Sequence, residues 1–194
     1  MNMKKIKNIE GKVIHKVNAD NFVDVDLKGT NLHCANFYCK NLTGANLSGS
    51  DLSGACIAEA NLTGANLKGA DISGSYIVDS NLTGANLKGA VLSNANLAGA
   101  NFTGVNFAGA NLAGARLVAA DLTGANLKGA DLTGADITNA DLTGANLKGA
   151  NLEGANLTGV NLTGAVLSNI KVDGNTIGLP SVFSVRKSVY SVQK

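Results

Sequence analysis

From Phe22 to Leu167 a large apolar residue returns at every fifth position, and all 30 of these positions are Leu, Ile or Phe. Two residues before them, 21 of the 30 are Ala; two residues after them, 21 of the 30 are Gly. Asn or Asp usually stands directly before the apolar residue, as in Ala65-Asn66-Leu67-Lys68-Gly69. A period of five matches neither the 3.6 of a helix nor the alternation of a strand. Gly at this spacing would destabilise a helix by about 1 kcal/mol per residue, and it weakens strand interiors. What fits is a short extended segment followed by a corner, repeated. Leu and Ala, two apart, point to the same side of an extended segment. Gly supplies the backbone angles of a tight corner, and Asn or Asp side chains bond the local backbone and favour turns. A chain that turns the same way at every corner winds into a solenoid.

A second period sets the number of corners per coil. Thr follows the central residue at Thr43, Thr63, Thr83, Thr103, Thr123, Thr143 and Thr163, and Lys does so at Lys28, Lys68, Lys88, Lys128 and Lys148. Both series step by multiples of 20, so four pentads close one coil and the cross-section is four-sided. Thirty pentads make about 7.5 coils, a column roughly 36 Å long at a strand spacing of ~4.8 Å. The motif A-[N/D]-L-x-G over residues 20–169 resembles the repeat of the pentapeptide-repeat family. The resemblance implies an all-β fold, a right-handed quadrilateral β-helix with Leu and Ala inside. It implies no single activity, although the best-studied members are acidic, dimeric DNA mimics that bind DNA gyrase.

The column is expected to hold stacked Leu and Ala files with few polar atoms. Phe22, Phe37, Phe102 and Phe107 replace Leu and read as core filling. Two inward Ala positions hold Asp20 and Lys40, 20 apart, which predicts an ion pair or a first coil open to water. Solenoid ends need caps. Residues 1–19 read as an N-terminal cap in which Val13, Ile14 and Val17 form a short covering strand. Residues 170–194 read as a C-terminal cap that begins with a turn at Asp173-Gly174. The 3-4-3 spacing of Val182, Val185, Val189 and Val192 predicts a helix over 181–192, which would cap the last coil or pair with a second chain as a homodimer.

Composition narrows the classes. The chain has 194 residues, a hydrophobic fraction of 45%, 15% charged residues and a net charge of +2. That hydrophobic fraction argues against disorder, and Gly without Pro argues against collagen. The charge divides unevenly: the column is −5, residues 1–19 are +4 and residues 170–194 are +3. A mildly acidic column gives no electrostatic reason for direct nucleic-acid binding. There is neither a signal peptide nor an apolar run long enough for a membrane span. Three cysteines, Cys34, Cys39 and Cys56, do not make a disulfide framework, and a reducing cytoplasm is the expected setting.

No nucleophile motif, phosphate loop or zinc spacing is present, so no enzyme activity, cofactor or metal is expected. Cys34 and Cys39 fall on adjacent faces, too divergent for a shared tetrahedral ion, and His15 and His33 read as surface residues. A regular column is also expected to lack the concave pocket of an enzyme. The Thr and Lys files read as stack-stabilising and solvated faces. The fourth face departs most from the motif, at Tyr38, Cys39, Cys56, Glu59, Tyr76, Val78, Asp79, Arg116, Val118 and Ala119. Tyr and Arg are enriched at binding hot spots, so this is the candidate interaction face for a protein partner. The expected function is a non-catalytic protein-interaction scaffold. The alternative is a DNA-mimicking modulator of DNA gyrase, implied by the resemblance but interrupted by the Lys file.

Overall fold

The computed structural model describes residues 3–18 and 21–179. Two strands, β1 (Met3–Lys7) and β2 (Val13–Asn18), form an antiparallel hairpin. The rest winds as a right-handed quadrilateral β-helix. Single parallel bridges join residues 20 apart, from Asp26 with Asn46 to Asn151 with Lys171. Four pentads therefore close each coil, as the Thr and Lys periods require.

One pentad shows why the motif winds this way. Asn61 N–H donates to Lys40 O in the coil before (2.9 Å), and Leu62 N–H and Gly64 N–H donate to Asn81 O and Thr83 O in the coil after (2.7 and 3.0 Å). Ala65 N–H closes a β-turn on Leu62 O (2.9 Å). The fifth donor, Thr63 N–H, bonds Asn61 Oδ1 (3.0 Å). All five backbone donors are thus satisfied, two of them within the pentad and three by neighbouring coils. The third residue of each such turn has positive φ in all 30 pentads, 21 times as Gly and nine times as another residue. That sign is what a type II turn demands at this place.

The interior is a continuous stack of Leu, Ile, Phe and Ala. Phe37, Phe102 and Phe107 are fully buried, and Phe102 and Phe107 pack with ring centroids 5.1 Å apart. The interior also contains hydroxyls that pattern reading overlooked. Ser50, Ser75 and Ser80 are buried, and each donates to a carbonyl at 2.7 Å (Leu47, Ile72 and Ile57). Lys40 is exposed, so no charge is enclosed there; its expected partner, Asp20, lies outside the described residues.

At the N-terminal end, Ile6 of β1 and Val17 of β2 are buried against the first coil, Ile14 is half-buried and Val13 exposed. Ile9 N–H donates to Cys34 O (2.9 Å) and Asn36 N–H to Lys7 O (2.7 Å), so the hairpin is bonded directly to the column. Only β2 of this pair is foreshadowed by sequence. At the other end, the turn at Asp173-Gly174 is present. Asp173 Oδ1 accepts from Gly154 N–H (2.8 Å), Thr176 N–H (2.9 Å) and Asn175 N–H (3.1 Å). The turn absorbs one extra residue, since Asn156 bridges Ile177 rather than residue 176. The helix expected over 181–192, and any pairing through it, lies outside the described residues.

Two outcomes follow from this packing. Phe107→Ala removes a fully buried ring and is expected to lower stability by about 3–5 kcal/mol in chemical denaturation, whereas Lys88→Ala on the solvated face stays within about 0.5 kcal/mol. Donation from Gly154 N–H, and then from Thr176 and Asn175, holds the Asp173 carboxyl down from 3.8 to about 2. The unfolded chain therefore binds more protons in this range, and stability from Asp173 is complete above 3.8 and lost as pH falls towards 2. Asp173→Asn should flatten that part of a melting-temperature-against-pH curve; an unchanged slope would sink this role for the turn.

Candidate interaction face

The fourth face is built from the pentads centred on Phe37, Ile57, Ile77, Leu97, Leu117, Ile137 and Leu157. Their central residues are buried, which turns the flanking residues outward. Tyr38 and Tyr76 are 47% and 57% exposed, the largest uncovered aromatic surfaces among the described residues. Cys39, Glu59, Asp79 and Arg116 are also exposed, while Cys56, Val78 and Val118 are half-buried.

Tyr38, Cys39 and Glu59 come together. The Tyr38 hydroxyl donates to Glu59 Oε1 (3.1 Å) and the Cys39 thiol to Glu59 Oε2 (3.4 Å). Interaction with Cys39, and then with the Glu59 carboxylate, pushes the Tyr38 hydroxyl up from 10.0 to about 12. Tyr76 and Arg116 stand apart from this cluster, two coils from each other, or about 10 Å along the axis.

Two further properties are concentrated on this face. Five of the nine non-Gly residues with positive φ lie on it: Cys39, Glu59, Asp79, Ala119 and Asn139. Each such residue stores of order 1 kcal/mol of backbone strain, Asn and Asp least. The other property was missed by sequence reading. Where Cys56, Tyr76 and Arg116 replace Asn or Asp, no carboxyl or amide oxygen is available to the N–H two residues on. Asn36 and Asp136 bond the N–H of Tyr38 and Thr138 in that way (3.0 and 3.1 Å). The N–H groups of Ala58, Val78 and Val118 have no intramolecular acceptor among the described residues. The signal was legible: it is the absence of an Asx side chain at the bridging position.

The Thr face is held mostly within pentads, as Thr83 Oγ1 to Asn81 Oδ1 (2.7 Å), with some bonds between coils, as Asn161 Nδ2 to Thr143 Oγ1 (2.9 Å). The longer amide ladder runs on the Lys face, where Asn46 donates to Asp26 (2.9 Å), Asn66 to Asn46 (3.3 Å) and Asn86 to Asn66 (3.4 Å). The structure has a concave groove, about 680 Å³, where the hairpin meets the first coil beside His33 and Cys34. It exists because the hairpin turn overhangs a corner that a bare column would leave open.

Corner side chains obey a vertical rule. Asp79 reaches over Gly99, and a Cβ on Gly99 would collide with Asp79 Oδ1; a Cβ on Gly64 would meet nothing. The two glycines have the same φ, 67° and 66°. Gly64→Ala is expected to lower stability by about 1–2 kcal/mol from backbone strain alone, and Gly99→Ala by clearly more. Equal losses in paired denaturation curves would contradict the rule.

A family model described as pentapeptide repeats matches eight copies spanning residues 21–77 and 80–174. Among solved structures, a trypsin-treated form of QnrB1, described as a plasmid-mediated fluoroquinolone resistance protein, is 19% identical with a TM-score of 0.67, covering 92% of this chain and 94% of that one. This likeness is one of fold. HetL, a pentapeptide repeat protein involved in heterocyst differentiation regulation from the cyanobacterium Nostoc sp. strain PCC 7120, is 30% identical with a TM-score of 0.32, covering 82% of this chain and 92% of its own. No curated protein matches the chain.

Proposed function

The chain belongs to the pentapeptide-repeat family, and from that premise we propose that it is a non-catalytic scaffold that recognises a protein partner through its fourth face. The observation that carries this reading is the coincidence of exposed Tyr76 and Arg116 with the open N–H groups of Ala58, Val78 and Val118. Open donors on one face, two of them on successive coils, suit a partner segment that offers acceptors, and the aromatic and guanidinium groups supply anchors. Strain gathered on the same face supports the reading, because strained backbone clusters at functional sites.

The gyrase-modulator reading has one observation in its favour. Asp121, Asp131 and Asp136 lie on three sides of one coil, with Asp141 stacked above Asp121 in the next, and the Asp121 carboxylate opposes the lowering of Asp141 by Thr143. Lys128, on the Lys face of the same coil, interrupts these carboxylates. QnrB1 shares the fold.

The test is comparative capture from the native host with the full chain, with Tyr76→Ala/Arg116→Ala, and with Lys68→Ala/Lys88→Ala. The scaffold reading expects a specific partner lost at least about tenfold in the first variant, equivalent to 1.4 kcal/mol, and kept in the second. Equal capture by all three would reject the fourth face. A supercoiling assay with purified gyrase decides the other reading, which requires inhibition at micromolar protein.

A further inference from the structure

The groove under the hairpin contains a chain of hydrogen bonds that ends on a thiol. Cys34 Sγ lies 3.2 Å from His33 Nε2. His33 Nδ1 lies 2.8 Å from Ser53 Oγ, one coil on. Ser53 Oγ donates to Asp51 Oδ1 (2.6 Å), and Ser53 N–H donates to the same oxygen (3.0 Å). The direction of this chain follows from its last link. The Ser53 proton is given to Asp51, so Ser53 Oγ accepts from His33 and the His33 proton sits on Nδ1. Nε2 is then the free acceptor, and it faces the thiol.

Three further observations make this a site. Donation from the Ser53 hydroxyl holds Asp51 below 3.8, with a contribution from His33, so the chain is anchored on a carboxylate. The corner above Cys34 is Gly54, where an added Cβ would stand 3.2 Å from Sγ, so the thiol has room because of that glycine. The groove of about 680 Å³ opens onto the pair and is lined also by Ile9, Glu10, Lys12 and Asn31.

We propose that Cys34 is a thiol activated by His33 that reacts with low-molecular-weight disulfides entering this groove. The thiol proton passes to His33 Nε2. The Cys34 sulfur attacks one sulfur of the disulfide, forming a new S–S bond as the old one breaks. The departing thiolate takes the proton from His33 Nε2 and leaves as a thiol. The product is a mixed disulfide on Cys34, and no other oxidant is consumed. His33, once protonated, donates to Ser53 on one side and to the thiolate on the other, and Asp51 balances its charge. A paired histidine is a recognised way to raise the reactivity of a cysteine.

The other two cysteines are internal controls. Cys39 is exposed, while Cys34 and Cys56 are both partly covered. Accessibility alone ranks Cys39 first. Cys39 instead donates to the Glu59 carboxylate (3.4 Å), a negative neighbour with no capacity to store a positive charge. The experiment treats the full chain with glutathione disulfide at neutral pH and follows each cysteine by site-resolved mass spectrometry. The expected result is mixed-disulfide formation at Cys34 at least ten times faster than at Cys39 and Cys56. His33→Asn should bring Cys34 down to their range and leave their own rates unchanged. Gly54→Ala, which crowds the thiol and spares the histidine, should slow Cys34 alone. A Cys34 rate no higher than that of Cys56, or one indifferent to His33→Asn, overturns the proposal. If His33→Asn shifts all three rates together, the loss is structural and the proposal also falls.

Discussion

The fold depends on a left-handed backbone at one residue in five. Every corner of the column has positive φ at its third turn residue, whether the residue is Gly64 (φ 66°) or Glu59 (φ 56°). Corners that were free to relax would break the period of 20, and with it every bond between coils. The lattice of bonds is what enforces the angle. A strained corner in an isolated peptide would flip; here it is clamped by a turn bond below, such as Ala60 N–H to Ile57 O (3.2 Å), and by an intercoil bond, Glu59 N–H to Val78 O (2.9 Å). Positive φ and stacking therefore require each other, which is why the repeat stands only as an array.

Once the inside and the corners are committed, variation is confined to outward positions, and even there it is coupled between coils. A side chain at a corner leans over the corner of the next coil. Asp24 over Gly44, Cys34 over Gly54, Asp79 over Gly99, Asn94 over Gly114 and Asn139 over Gly159 all follow this arrangement. The exceptions lie on the fourth face, where Cys39, Glu59 and Asp79, and further along Ala119 and Asn139, follow one another without an intervening glycine. Between Cys39 and Glu59 a polar contact replaces the missing space, since Cys39 and Tyr38 both hydrogen-bond to Glu59.

Much of this was legible from sequence, for physical reasons that differ between elements. The period of five, the period of 20 and the inward Leu and Ala were readable because each repeats against an invariant environment. The hairpin was only half readable: β1 carries Lys4, Lys5 and Lys7 around a single buried Ile6, so no alternation marks it as a strand. Buried Ser50, Ser75 and Ser80 escaped because a hydroxyl that bonds a turn carbonyl behaves as a slightly larger Ala. The fourth face was located by residue type. Its open N–H groups required the further step of asking what each Asx side chain was bonded to. The groove beside His33 and Cys34 was invisible because it arises between two elements rather than within the repeat.

The solenoid also explains how neighbouring thiols acquire opposite surroundings. Cys34 and Cys39 occupy equivalent corners, at φ 55° and 53°, one side of the column apart. What differs is the residue 20 places on. Above Cys34 stands Gly54, which leaves space, with Ser53 beside it to orient His33; above Cys39 stands Glu59, which takes the thiol proton as a hydrogen bond. The local sequence of a pentad thus says little about the chemistry of its corner. In a stacked architecture the informative neighbour is a full coil away, and a functional residue must be read down its face rather than along its chain.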